Sequence, residues 1–108
     1  MILSDKCLEL GLPEPSEAEE QLHFVRRVIA EGNSLNTRMC RHIGIYNLHS
    51  IVPKLFKQGV NFEWVNSPVY CPLLKITPPE PVIVIYMTME QQKEYWEAKK
   101  KPTKEANQ

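Results

Sequence analysis

Four basic side chains, Arg38, Arg41, Lys54 and Lys57, stand in residues 32–61, a stretch without a single carboxylate. Among them lie Asn47, whose amide can pair bidentately with adenine, and Tyr46, His49 and Ser50, whose ring and hydroxyl groups can make less specific contacts. Thr37 stands where a helix start would present a backbone amide to a phosphate. Cations fix the register of a protein on a phosphate backbone and polar groups read base edges, so this set suits contact with double-stranded DNA. Plainer roles exist for each residue: Asn47 as a helix cap, His49 as a surface side chain, the cations as a solvated face. Catalytic chemistry is poorly supplied. Cys7, Cys40 and Cys71 lack any CxxC spacing, and there is no glycine-rich phosphate loop or metal-ligand pattern. Cys40 with His42 or His49 is the one conceivable nucleophile pair, and a cysteine in the small slot between two helices more often acts as a hydrophobe. No enzyme activity, metal or cofactor is therefore expected.

The chain has 108 residues and zero formal net charge, with the charge unevenly distributed. Residues 1–31 sum to −4, residues 32–61 to +4, residues 62–87 to −1 and residues 88–108 to +1. The uncompensated positive charge thus coincides with the polar set above, as a nucleic-acid footprint requires. This length predicts one domain, 1–108, able to close a single core. No apolar run suits a membrane span or an export signal, and an odd number of scattered cysteines fits a reducing cytoplasm.

The elements that must carry these residues follow from caps and periodicity. A short helix is expected within 1–11, capped by Ser4 and ended by Gly11, then a proline-broken linker at Leu12, Pro13, Glu14 and Pro15. Ser16 is expected to cap a second helix, with Glu17, Glu19 and Glu20 in its first turn, an apolar stripe of Leu22, Val25, Val28 and Ile29 with Phe24 alongside, and Gly32 at its end. Asn33, Ser34 and Asn36 offer caps for a third helix holding Met39, Cys40 and Ile43, which Gly44 stops, with Ile45 as the apolar plug of the turn. Leu48, Val52 and Leu55, flanked by Ile51 and Phe56, form one face of a fourth helix that Gly59 closes. Pro53 lies in its interior if it begins at Asn47 and near its first turn if it begins at Ser50. Residues 60–65 alternate as a half-buried strand, 69–76 contain further extended-type residues, and 82–87 form the strongest strand. Thr88 and Gln91 make a capping box for a last helix whose Tyr95 and Trp96 supply docking bulk, ending at the lysines 99–101; residues 102–108 read as a disordered tail.

The segment 33–59 resembles the small winged helix-turn-helix domains of bacteriophages and prophages. Ser34, Leu35, Asn36 and Thr37 match their serine-leucine-asparagine/threonine-threonine entry, residues 38–42 their Arg/Cys-containing helix, Ile43, Gly44 and Ile45 their turn, and residues 55–59 their Leu-x-x-x-Gly ending. Pro53 and Ile51, the latter where relatives often carry arginine, depart from the pattern. The resemblance implies an α+β winged helix-turn-helix: an N-terminal extension (1–15), a three-helix core (16–59), a two- or three-stranded wing (60–87) and an additional C-terminal helix (88–101). It implies a small DNA-binding regulator in a bacterial cytoplasm, with the helix 47–58 in a major groove and Thr37, Arg38, Arg41, Tyr46, Asn47, His49, Ser50, Lys54 and Lys57 at the DNA. Dimerisation through Tyr95 and Trp96 would suit a two-fold operator, and the rival expectation is a protein-interaction module that modulates a replication or transcription factor.

Overall fold

The computed structural model describes residues 2–100. In chain order they form α1 (Ser4–Glu9), α2 (Gln21–Ala30), β1 (Leu35–Asn36), α3 (Thr37–His42), α4 (Leu48–Lys57), β2 (Glu63–Ser67), β3 (Val82–Tyr86) and α5 (Met89–Lys100). The class is α+β, with one antiparallel sheet in the order β1-β3-β2. No helix among the described residues is long and apolar enough to cross a membrane. The expected tail at 102–108 and the lysine at 101 lie outside the described residues.

The N-terminal third differs most from its sequence reading. Ser4 does not cap α1. The cap position falls to Leu3, and the Ser4 hydroxyl donates to the Glu14 carboxylate instead. Ile2, Cys7 and Leu12 are buried, and the Leu3 N–H donates to the Ile43 carbonyl at 2.8 Å, which stitches this segment onto the helical core. Helix α2 begins at Gln21 rather than after Ser16, because Ala18 adopts a left-handed backbone (φ 63°) that interrupts helical geometry. Glu17, Glu19 and Glu20 therefore precede the helix. Glu19 has another role: its carboxylate, only 2% exposed, accepts the Ser16 N–H at 2.8 Å and two Arg27 N–H groups at 3.1 and 3.0 Å. Arg27 also donates to the Glu14 carbonyl at 3.0 Å and to Glu31 at 3.3 Å. Of the three acids that look like dipole compensation, Glu19 instead forms a clasp with Arg27 of α2.

The central helices follow their pattern. The Asn36 side chain accepts the Met39 N–H at 2.9 Å, so Asn36, and neither Asn33 nor Ser34, caps α3. At the α3 exit Gly44 takes φ +101°, and the Ile45 N–H closes on the Cys40 carbonyl at 2.7 Å, the hydrogen bond of a Schellman ending. Ile45 is fully buried. Leu48, Ile51, Val52 and Leu55 form the buried stripe of α4, and Val60 N–H returns to the Leu55 carbonyl at 3.2 Å beyond Gly59. Since α4 begins at Leu48, Pro53 is its sixth residue and lies inside it, leaving the His49 carbonyl without its helical donor.

The sheet shows two departures. Val60 is still completing the α4 exit, and Phe62 turns into the core, stacked on Phe56 at 4.8 Å. The pleat therefore starts at Glu63 and runs to Ser67 instead of occupying 60–65. The second departure is β1, two residues that periodicity cannot reveal, which pair Leu35 with Ile85 and Asn36 with Val84. Ile85, also opposite Trp64, is the buried centre of the sheet. Helix α5 opens with the expected capping box, Gln91 N–H to Thr88 Oγ1 at 3.1 Å and Thr88 N–H to Gln91 Oε1 at 2.9 Å. The Trp96 indole N–H donates to the Ala30 carbonyl at 2.8 Å, satisfying an acceptor in the last turn of α2, and Tyr95 packs against the core.

The Arg27 hydrogen bonds hold the Glu19 carboxyl down to about 2, from an ordinary value of 4.5. A depressed carboxyl stabilises the fold above its unfolded value and loses that contribution as pH falls through its folded value. Acid titration is expected to remove up to about 3 kcal/mol between pH 4.5 and 2 through this group. Glu19→Gln should lower stability at pH 7 and flatten that acid limb, as followed by urea unfolding at several pH values.

Candidate nucleic-acid interface

The buried stripe of α4 fixes what its other side presents. With Leu48, Ile51, Val52 and Leu55 inward, Ser50, Pro53 and Lys57 point directly away from the core, with His49 and Lys54 beside them. All five are exposed. Just before the helix, Tyr46 is 73% exposed, and Asn47 occupies the cap position without a side-chain capping bond, so its amide is not consumed there. Arg41, in the last turn of α3, is exposed as well. Arg41, Lys54 and Lys57 enter none of the ion pairs of the described residues. Seven of the nine sequence-selected residues are thus exposed on α4, on the turn before it or at the end of α3.

Thr37 and Arg38 are placed differently. Thr37 opens α3 half-buried, and its Oγ1 has no hydrogen-bond partner among the described residues. Arg38 is turned away from a phosphate role by two backbone acceptors. Its Nη1 donates to the Val69 carbonyl at 2.6 Å and its Nη2 to the Glu80 carbonyl at 2.8 Å. Those carbonyls stand on opposite legs of the 68–81 connection between β2 and β3, so one guanidinium ties both legs to α3.

Beyond that tie, the extended-type residues of this connection, which Pro72 interrupts, close into a turn over 71–76. The Cys71 N–H bonds the Ile76 carbonyl at 2.8 Å, the Lys75 N–H bonds the Cys71 carbonyl at 2.7 Å, and Lys75 takes a left-handed φ of 61°. This holds Leu73 and Leu74, each 64% exposed, at the tip, with Tyr70 and Ile76 exposed below them. The sequence gives no signal for this geometry, because the acceptors Arg38 uses are carbonyls that every residue carries.

The nucleophile considered for Cys40 has no access. The thiol is fully buried and desolvation pushes it up to about 12, so it stays protonated at neutral pH. His42 is committed elsewhere: its Nε2 lies 2.9 Å from Glu9 Oε1, and that hydrogen bond lowers the Glu9 carboxyl from its ordinary value. Among the described residues no cluster of His, Cys, Asp and Glu could hold a metal ion. No protein-family model, curated protein or solved structure matches this chain.

Removing the tie has a distinct signature. Arg38→Ala deletes two charged hydrogen bonds, each worth about 1.5–3 kcal/mol at most, and should raise amide exchange in 69–80 while leaving α4 protected. Hydrogen exchange read by mass spectrometry is the measurement.

Proposed function

We propose that this chain is a winged helix-turn-helix protein that binds duplex DNA, a small regulator of the phage or prophage type working in a bacterial cytoplasm, with α4 as recognition helix. The fold reading rests on element order. A support helix (α2), a short strand (β1), two helices joined by a glycine turn (α3 and α4) and a closing antiparallel hairpin (β2 and β3) occur in sequence, and the first strand pairs with the last. The 68–81 connection is then the wing and α5 the addition.

One observation carries the function: the outward side of α4 and the end of α3 present Arg41, Lys54 and Lys57 with Asn47, His49 and Ser50, and no carboxylate belongs to residues 32–61. In this reading Asn47, His49 and Ser50 meet base edges at the N-terminal end of α4, Tyr46 contacts the adjoining backbone, and Arg41, Lys54 and Lys57 hold phosphates. Arg38 acts by positioning the wing, and Thr37 by starting α3. A second reading is favoured by the apolar tip at Leu73 and Leu74: a winged-helix module that docks on a replication or transcription protein without touching DNA.

Three phosphate contacts predict a log-affinity against log-salt slope of about −2 to −3. Fluorescence anisotropy of a labelled duplex should show that slope. Lys54→Ala with Lys57→Ala should bring it close to −1, because each phosphate contact contributes about −0.9. Arg38→Ala should leave the slope intact. Absence of binding at low salt would remove the groove model and leave the protein-docking reading.

A further inference from the structure

The sheet has two edges, and they are protected very differently. Strand β1 is two residues long and runs straight into α3, so it offers almost no template for a further strand. Strand β2 is five residues long, and four of them are exposed. Among the described residues its outer side carries one row of unpaired backbone N–H and C=O groups, since β3 takes only the other row. Its one charged guard, Glu63, sits at the first position, where its carboxylate accepts the Gln91 amide N–H of α5 at 2.8 Å, and no lysine or proline interrupts Trp64, Val65, Asn66 and Ser67. Trp64 is 51% exposed and Val65 44%.

From this edge we infer that the protein forms a two-fold dimer by antiparallel pairing of β2 with β2 of a second copy, giving one continuous six-stranded sheet. The strand is complementary to itself. Centred on Val65, the pairing sets Val65 against its own copy, Trp64 against Asn66, and Glu63 against Ser67. The only charge on the strand therefore faces a neutral hydroxyl and never its own kind, which a like-charged pair would oppose. Trp64 and Val65 point to opposite faces of the sheet, so pairing along this edge covers part of the sheet's apolar surface on both faces. The alternative dimer surface is less free, because Trp96 is bonded to Ala30 and Tyr95 packs on the core of its own chain. This inference is independent of DNA: the edge is unpaired whatever α4 touches.

Sedimentation equilibrium of the full chain, from about 1 µM to about 1 mM, a span that covers micromolar to millimolar dissociation constants, tests it. The wild-type chain should shift from monomer to dimer. Val65→Lys sets two lysines against each other on the two-fold axis and should keep the chain monomeric, with an unchanged circular dichroism spectrum showing that it folds. Ser67→Lys sets a lysine opposite Glu63 of the other copy twice, and should tighten the dimer by about fivefold at low salt. A wild-type chain that is monomeric throughout, a V65K chain that dimerises like wild type, or a Ser67→Lys chain that dimerises more weakly overturns the inference.

Discussion

Asn36 stands at the point on which the two halves of the molecule depend. Its backbone is the last residue of β1, paired with Val84, while its side chain turns the chain into α3 by accepting the Met39 N–H. At 6% exposure it is a buried polar residue whose amide oxygen is satisfied, so its desolvation is compensated. The arrangement allows no slack. A one-residue slip of β1 would move Leu35 off Ile85 and take the cap away from α3 together, because strand faces alternate with a period of two. Everything downstream inherits that register: α3 fixes the Gly44 turn, the turn fixes the start of α4 at Leu48, and that start decides which α4 side chains face outward.

Charge is divided between two tasks along the same chain. The N-terminal acids are largely spent internally: Glu14 meets Ser4 and, through its carbonyl, Arg27; Glu19 meets Ser16 and Arg27; Glu31 meets Arg27; Glu9 meets His42. The cations of the middle segment, Arg38 excepted, have no such partners among the described residues and face water. Zero net charge therefore conceals an N-terminal segment of net −4, several of whose carboxylates are held by hydrogen bonds, and a middle segment of net +4 whose cations are mostly exposed. In the proposed function the basic middle segment is what a phosphate backbone meets.

Much of the helical core was legible from residue types. Gly44 and Gly59 mark helix ends because those sites need a left-handed backbone, and the spacing of Leu48, Ile51, Val52 and Leu55 sets one face inward. The exposed members of the candidate site were legible for the same reason, as the complement of that stripe. What escaped was non-local or too short for periodicity. Strand β1 exists only because β3 comes back to it, the helix start after Ser16 was lost to a left-handed Ala18 and the pull of Arg27 on Glu19, and Arg38 found carbonyls on a loop more than thirty residues away. An arginine in a basic segment reads as a phosphate contact until the fold supplies other acceptors.

The most direct test of the central claim is a titration of the isotopically labelled protein with short duplex DNA, followed by amide chemical shifts. The proposed groove model predicts perturbations concentrated at 41 and 46–57, continuing into the loop 68–81, with α1 and the clasp around Glu19 unmoved. Perturbations confined to other surfaces, or no change at low salt, would contradict it and leave α4 as a face without a nucleic-acid role.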